Sequence, residues 1–183
     1  MRLLHTKDIT LREFSDADHA PPYAILSHVW REQEVLFTHM QNPEEAQKRL
    51  GFSKVLKCCE KARAAGYDWV WIDTCCIDKA SSAELSEAIN SMFAWYKKAR
   101  VCYAYLDNVA PGGLPPRGDF EHSRWFTRGW TLQELIAPAQ VMFLAQDWSE
   151  IGTRGELVES IEHVTRVDRS VLLGRPVQLA SRR

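Results

Sequence analysis

The strongest candidate for chemistry in this chain is a single carboxylate, Glu134, in the sequence SRWFTRGWTLQELIAP that runs from Ser123 to Pro138. This stretch surrounds the acid with tryptophans and also contains Arg124 and Arg128. Aromatic surroundings exclude water and favour the protonated acid, whereas a nearby guanidinium favours the carboxylate. Because these effects oppose each other, the surroundings can adjust the pKa of Glu134 in either direction. We therefore expect a reactive site here.

A structural role for the same acid fits the sequence equally well. Thr131 and Glu134 match the T-x-x-E capping box, in which the threonine oxygen accepts the backbone N–H of the glutamate. The glutamate side chain then binds back to the first free N–H of the helix. Short motifs of this kind are common by chance, so both interpretations stay open at this point.

Short, uninterrupted apolar runs predict the strands that would position these residues. Runs of this length and composition are typical of strands that are buried on both faces of a parallel sheet. The four runs are Tyr23–Ser27, Trp69–Asp73, Val101–Leu106 and Val141–Ala145.

Helix signals alternate with the predicted strands. One helix is predicted over Ser53–Ala65, and a second begins after the S-x-x-E sequence at Ser81–Glu84. The cap and first-turn proline at Asn42-Pro43 predict a shorter helix, and a last helix is predicted over Arg154–His163. The second helix carries an apolar stripe at helical spacing. The stripe consists of Leu85, Ile89, Met92, Phe93 and Tyr96.

This alternation predicts an α/β fold, a flavodoxin-like three-layer sandwich with a mostly parallel sheet. Residues 1–183 fit one domain, with 149–183 as a partial or weakly anchored C-terminal extension. The segments Arg2–Leu4 and Ile9–Phe14 predict an N-terminal β-hairpin. The clearest loop is Pro111–Gly118, which contains three prolines and three glycines.

In open parallel sheets, ligands bind beyond the carboxyl ends of the strands, where the strand order reverses. The polar and aromatic residues that follow the predicted strands should therefore meet at one rim, together with residues from the segment around Glu134. The candidate binding residues are Ser27, His28, Trp30, Asp73, Cys75, Asp107, Asn108, Arg124, Arg128 and Trp130. No dinucleotide-binding G-x-G-x-x-G or phosphate-binding G-x-x-x-x-G-K-[ST] motif is present, which disfavours a Rossmann dehydrogenase and a P-loop NTPase.

Several of these candidates also have ordinary structural interpretations. His28 fits a core histidine, and Asp73 fits a residue that caps a turn. Cys75 and Cys76 have no cationic sequence neighbour that would lower a thiol pKa, so they fit packed thiols better than nucleophiles. A hydrolase that uses Cys75 or Cys76 with His28 is the minor alternative.

Charge, cysteine content and hydropathy limit the kinds of protein this chain can be. The 23 basic and 24 acidic residues give a net charge of -1, which provides no basic field for nucleic acid or an anionic membrane. The five cysteines lack the C-x-x-C spacing of a metal site and fit reduced, buried thiols. No apolar run approaches the roughly 20 residues that cross a bilayer, and no signal peptide is evident. These features predict a soluble, cytoplasmic protein without a metal site.

Four blocks of the sequence resemble the HET domain of fungal heterokaryon-incompatibility proteins, and they occur in that family's order. The resemblance runs from about Met1 to Trp148. The blocks are YAILSHVW at Tyr23–Trp30, WVWIDTCCIDK at Trp69–Lys79, ELSEAINSMFAWYKKA at Glu84–Ala99 and SRWFTRGWTLQELIAP at Ser123–Pro138. The resemblance implies a signalling domain for cell death after fusion of genetically unlike fungal cells.

The HET family is in turn similar to TIR domains, some of which cleave NAD. The TIR pattern W-C-L-x-E-L resembles Trp130–Leu135, with Thr131 in place of the cysteine, and its glutamate corresponds to Glu134. The resemblance therefore implies an NAD glycohydrolase in which Glu134 is catalytic. NAD would be the substrate, with no permanently bound cofactor.

The chemistry of the side chains suggests how NAD would bind. Trp30 or Trp130 could stack on the nicotinamide or the adenine, and Arg124 or Arg128 could hold the pyrophosphate. TIR relatives assemble to complete their sites, so the resemblance also implies self-association and an upstream sensor or partner module. The main alternative to an enzyme is a non-catalytic domain that signals by oligomerising.

Overall fold

Four parallel strands form the centre of a seven-stranded sheet. The structure is a computed structural model that describes residues 1–112 and 119–174. All four apolar runs are confirmed as the central strands. The strands are β1 Arg2–His5, β2 Leu11–Glu13, β3 Tyr23–His28, β4 Trp69–Ile72, β5 Val101–Tyr105, β6 Val141–Leu144 and β7 Glu150–Thr153.

The strand order confirms the flavodoxin-like fold. The sheet runs β2-β1-β4-β3-β5-β6-β7, and β3 pairs in parallel with both β4 and β5. Among the parallel strands, the first along the chain therefore lies between the second and the third, which is the flavodoxin-like arrangement. The order reverses between β3 and β5, so ligands are expected beyond the carboxyl ends of the strands at this position.

Antiparallel strands extend both edges of the sheet. The predicted N-terminal hairpin is confirmed as β1 and β2, and β1 continues the sheet by pairing Leu4 with Val70 of β4. At the opposite edge, β7 pairs with β6, with Met142 opposite Thr153. Strand β7 has no clear sequence signal, because its four residues contain a glycine and one buried apolar side chain, Ile151.

Two helices begin at the caps that the sequence predicts. Asn42 accepts the N–H of Glu44, and Ser81 accepts the N–H of Glu84, each at a helix start. The helices are α1 Phe37–Met40, α2 Pro43–Gln47, α3 Phe52–Ala64, α4 Asp73–Cys76, α5 Ser82–Lys98, α6 Thr131–Ile136, α7 Val158–Thr165 and α8 Arg169–Leu172. Two 3-10 helices, Phe120–His122 and Arg124–Thr127, precede α6.

The last predicted helix begins later than the sequence indicated. Thr153–Glu156 also matches the T-x-x-E pattern, and its pair is formed: the carboxylate of Glu156 accepts the Thr153 N–H at 2.7 Å, and the Thr153 hydroxyl accepts the Glu156 N–H. It closes a turn after β7, so α7 begins at Val158 and not at Arg154. Four apolar side chains of this region are buried: Ile151, Leu157, Ile161 and Leu172. Residues 175–183 and most of the predicted loop Pro111–Gly118 lie outside the described residues.

The crossovers place the helices on two faces. The chain steps from β3 to β4 in one direction and from β4 to β5 and on to β6 in the other. Right-handed crossovers then put α3 on one face of the sheet and α5 and α6 on the other, where α5 packs against α6. The apolar stripe of α5 is only partly core, because Tyr96 is buried whereas Ile89 and Phe93 are 44% and 46% exposed.

Candidate functional site

A cleft of about 450 Å³ opens beyond the carboxyl ends of β3 and β4, on the face that carries α5 and α6. Its volume lies within the roughly 300–1,000 Å³ typical of small-molecule sites. One wall is apolar and comes from Leu85, Ile89 and Met92 of α5. The polar and aromatic residues that border it are Trp30, Asp73, Lys79, Arg128, Trp130 and Glu134.

Glu134 lies in the floor of this cleft, and three hydrogen bonds from Arg128 and Ser27 hold its carboxylate. Arg128 donates two parallel hydrogen bonds, from Nη1 to Oε2 at 2.6 Å and from Nη2 to Oε1 at 3.0 Å. The Ser27 hydroxyl donates to Oε2 at 2.5 Å and itself accepts the indole N–H of Trp125 at 2.7 Å. We call Ser27, Trp125, Arg128 and Glu134 the Glu134 cluster. Glu134 is 3% exposed, so its charge is balanced almost entirely by Arg128.

The capping-box interpretation of Glu134 is wrong. The N-cap of α6 is Trp130, whose side chain forms no capping hydrogen bond, and the Thr131 hydroxyl donates to the backbone carbonyl of Trp125 at 2.6 Å. The Glu134 carboxylate points to Arg128 and Ser27 instead of the helix start. The helix is fixed at its other end by Arg154, whose guanidinium donates to the carbonyls of Leu135, Pro138 and Ala139.

A second group of polar side chains lies on the β3 and β4 side of the cleft. The Trp30 indole N–H donates to Asp73 Oδ2 at 2.8 Å, and His28 Nε2 lies 2.9 Å from Asp73 Oδ1. Behind them, Lys54 of α3 donates to His28 Nδ1 at 3.0 Å and forms an ion pair with Glu34. We call Trp30, Asp73, His28, Lys54 and Glu34 the Asp73 cluster.

The contacts of His28 determine its tautomer. A lysine ammonium has only donors, so Nδ1 of His28 must accept the hydrogen bond from Lys54. The proton of the neutral ring is then on Nε2, which donates to Asp73. Both ring nitrogens are occupied and the residue is 1% exposed. His28 is therefore placed to orient Asp73 and not to exchange a proton with a ligand.

Charge at the mouth of the cleft is set by Asp73 and Lys79. Burial raises the pKa of Asp73, but its interactions with His28 and Lys79 and the hydrogen bond from Trp30 outweigh that effect and lower the pKa. Burial lowers the pKa of Lys79 despite the opposing effect of Asp73. The Lys79 ammonium lies 4.5 Å from the centroid of the Trp30 ring, in the geometry of a cation–π contact.

Comparison with known proteins gives two matches. The model of the heterokaryon incompatibility protein (HET) family matches residues 23–116, which include β3, β4, α5 and β5. The chain is also 43% identical, over 188 aligned positions, to the vegetative incompatibility protein HET-E-1 of Podospora anserina. The alignment covers 97% of this chain. The chain belongs to the HET family.

Each of these matches is partial. This HET chain spans 14% of the length of HET-E-1. The family-model match ends at residue 116, before Glu134, whereas it includes Ser27, His28, Trp30 and Asp73. No solved structure matches the HET chain significantly.

Most of the predicted site residues of this HET domain meet at the cleft or directly beneath it. Trp30, Asp73, Arg128, Trp130 and Glu134 border the cleft. Ser27 and His28 lie beneath Glu134 and Asp73 and bind their carboxylates.

Arg124 and Cys75 lie elsewhere. Arg124 is directed to Asp107, 3.5 Å away, which also pairs with Arg31 beyond the ends of β3 and β5. Cys75 is fully buried in the HET core, where its thiol points to the carbonyl of Ile72. A hydrogen bond with Cys76 and burial raise the pKa of Cys75 well above its usual value. A protonated, buried thiol of this kind is unsuited to nucleophilic attack.

Four neighbours of the candidate site were not predicted from the sequence: Glu34, Lys54, Lys79 and Trp125. Lys79 and Trp125 lie within the HET blocks, and their position in those blocks is a signal that could have found them. Lys54 lies among the lysines on the polar side of α3, so helical periodicity assigns it to solvent. Its burial against Glu34 is a tertiary feature with no local sequence signal.

In the part of the HET chain that the structure describes, no helix has both the length and the apolar character that a membrane span requires.

Proposed function

We propose that this HET domain delivers a cell-death signal in vegetative incompatibility and that it does so by cleaving the nicotinamide–ribose bond of NAD. The first part rests on its family and on the name of its relative HET-E-1. The second part rests on one observation, the Glu134 carboxylate in the floor of a cleft between two exposed tryptophans.

A single carboxylate is sufficient for this reaction. The ring nitrogen of oxidised NAD carries a positive charge, so nicotinamide leaves as a neutral molecule and needs no proton. The bond electrons go to the ring, and the ribose becomes an oxocarbenium ion that an adjacent carboxylate stabilises. Water or a hydroxyl of the substrate then adds to the ribose carbon and releases a proton.

The hydrogen bonds of Glu134 leave room for a substrate. A carboxylate offers about four lone-pair positions, and three are used by Arg128 and Ser27 within the described residues. From the described residues Oε1 accepts a single bond, so a ribose hydroxyl can donate to it while the Arg128 pair stays intact. Burial lowers the pKa of Arg128, but its charge interaction and hydrogen bonds with Glu134, together with the effects of Tyr96 and Asp73, outweigh burial and raise the pKa, so the guanidinium stays charged.

The direct test is nicotinamide release by the purified protein, concentrated or artificially clustered, with NAD as substrate. The Glu134→Gln variant keeps the shape of the side chain and removes its charge, so release should fall to background. Glu159→Gln is the matched control, because Glu159 is an exposed acid on α7. Release by Glu134→Gln at the parental rate would refute the mechanism.

A specific observation also supports a second candidate, a non-catalytic docking module. Ile89 of α5 and Trp130, just before α6, line the cleft and are exposed, and the same two helices also expose Phe93 and Leu132. Grouped apolar exposure of this kind is typical of protein-binding surfaces, including those used in self-association. If the domain is such a module, the Glu134→Gln variant should still kill cells that express it, whereas the Phe93→Glu variant should not. For an NAD-cleaving enzyme, Glu134→Gln abolishes killing.

A further inference from the structure

Two tryptophans border the cleft and are equally exposed, at 47% each, but they are held differently. The Trp30 N–H is bound by Asp73, and the Lys79 ammonium lies over the Trp30 ring. Among the described residues, the Trp130 ring makes neither kind of contact. The difference indicates separate roles for two side chains of the same type in one cleft.

The plane of Trp30 is fixed from behind by a continuous chain of hydrogen bonds. Asp73 binds the indole, His28 binds Asp73, and Lys54 binds His28. Lys54 uses its remaining donors on Glu34 and the carbonyl of Val29. Burying charged groups is unfavourable unless each is paired, and here each one is. The result is a half-exposed ring whose orientation is set before any ligand arrives.

The same chain makes the Trp30 ring attractive to cations. A negative carboxylate on the indole N–H adds electron density to the ring, and an indole face already attracts positive charge more than other side-chain rings. The Lys79 ammonium lies 4.5 Å from the ring centroid, where the backbone carbonyls of Asp73 and Thr74 also accept its hydrogen bonds. A flat ligand ring that carries a positive charge would gain from stacking and from the same electrostatic attraction.

We propose that Trp30 is the binding face for the positively charged nicotinamide ring of oxidised NAD, and that Asp73, His28 and Lys54 are positioning residues that hold it. The cleft would therefore select the oxidised dinucleotide over the reduced one, whose nicotinamide ring is neutral. This inference rests on the proposed function, because that function makes NAD the ligand of the cleft.

The test measures binding without turnover. Calorimetric titrations with NAD+ and with NADH are made on Glu134→Gln, which does not consume the ligand, and on the same variant with Trp30→Ala or Trp130→Ala. The parent Glu134→Gln protein should prefer NAD+ by about 2- to 30-fold. Trp30→Ala should reduce this preference towards one, whereas Trp130→Ala should weaken both dinucleotides and leave the preference unchanged.

The positioning residues are tested through the same ratio. His28→Gln in the Glu134→Gln background should lower the NAD+ preference, because the Trp30 ring loses its fixed orientation. A purely structural effect of this substitution would weaken NAD+ and NADH equally. His28→Asn is a second substitution, and its shorter amide cannot reach both Asp73 and Lys54. If the His28→Asn protein kept the full NAD+ preference, the positioning role of His28 would be contradicted.

Failure of this inference is distinguishable from failure of the proposed function. Equal binding of NAD+ and NADH, an unchanged preference in Trp30→Ala, or no binding of either dinucleotide would overturn the Trp30 assignment. If the wild-type chain still released nicotinamide, the enzymatic proposal would stand without it. If the chain showed a Trp30-dependent preference for NAD+ but never released nicotinamide, the role of Trp30 would be supported and the proposed enzymatic activity would be overturned.

Discussion

The Glu134 cluster and the Asp73 cluster both put a carboxylate at the cleft, but they balance its charge differently. In the Glu134 cluster, one acid faces one guanidinium in a bidentate pair, and the two residues belong to the same stretch of chain. The Asp73 cluster draws on β3, α4, α3 and the loop after β3, and it extends from the cleft to the α3 side.

This difference predicts different sensitivities to substitution. Removal of one partner in a bidentate pair leaves the other charge buried without compensation. In the Asp73 cluster, Asp73 has contacts with His28, Trp30 and Lys79, so the loss of one leaves others in place. Substitutions in the Glu134 cluster should therefore lower the free energy of unfolding more than substitutions in the Asp73 cluster.

The largest effect is expected for Arg128→Met. The substitution keeps most of the side-chain volume, and of the hydrogen bonds that the described residues give Glu134 it leaves the one from Ser27. The free energy of unfolding should fall by about 3 kcal/mol, as measured by urea denaturation. The double variant Arg128→Met with Glu134→Gln removes the stranded charge and should recover part of the loss. A loss below about 1 kcal/mol for Arg128→Met would show an ordinary surface ion pair.

Lys54→Met should have a smaller effect of about 2 kcal/mol. Glu34 loses its ion pair but still accepts the backbone N–H of Arg31, and His28 keeps Asp73. Lys57→Met on the same helix is the matched control, because Lys57 forms an exposed pair with Glu60. The control should change stability by less than about 1 kcal/mol. Equal losses in the two variants would mean that the Asp73 cluster does not depend on its lysine.

The two clusters also differ in how far they could be predicted from the sequence. The acid and arginine of the Glu134 cluster lie six positions apart, so reading one segment was enough to propose them. Ser27, Trp30 and Asp73 were found because the carboxyl ends of parallel strands meet at one rim. Lys54 could not be found, since its position among the lysines of α3 is the pattern of a solvated side chain.

Periodicity also has a limit that α5 illustrates. Its apolar stripe was correctly recognised as one side of a helix, but periodicity does not say what covers that side. In the structure, Tyr96 enters the core, Leu85 and Met92 line the cleft, and Phe93 is exposed. The same spacing therefore serves packing in the core at one position and the lining of the cleft at others.

Asp73→Asn tests the charge at the cleft end of the Asp73 cluster. The pKa of Asp73 is lower in the folded chain than its ordinary value, so the ionised group stabilises the fold above that value. The stabilisation is lost as the pH falls through the folded pKa. The substitution should cost about 1.5 kcal/mol near neutral pH. The difference between wild type and variant should shrink below about pH 4 in urea titrations. A difference that does not vary with pH would exclude the carboxylate charge as its source.

The smallest effect is expected at Thr131, which supports the Glu134 cluster through the backbone of Trp125. Thr131→Val removes the hydroxyl donor, leaves the buried Trp125 carbonyl without its partner and should cost about 1 kcal/mol. Thr131→Ser keeps the donor and should retain most of the stability. Thr131→Asp separates this bond from helix capping, because aspartate is a good cap but, when ionised, has no proton to donate. If Thr131→Asp were as stable as wild type by urea denaturation, the donated bond would not be what holds the start of α6.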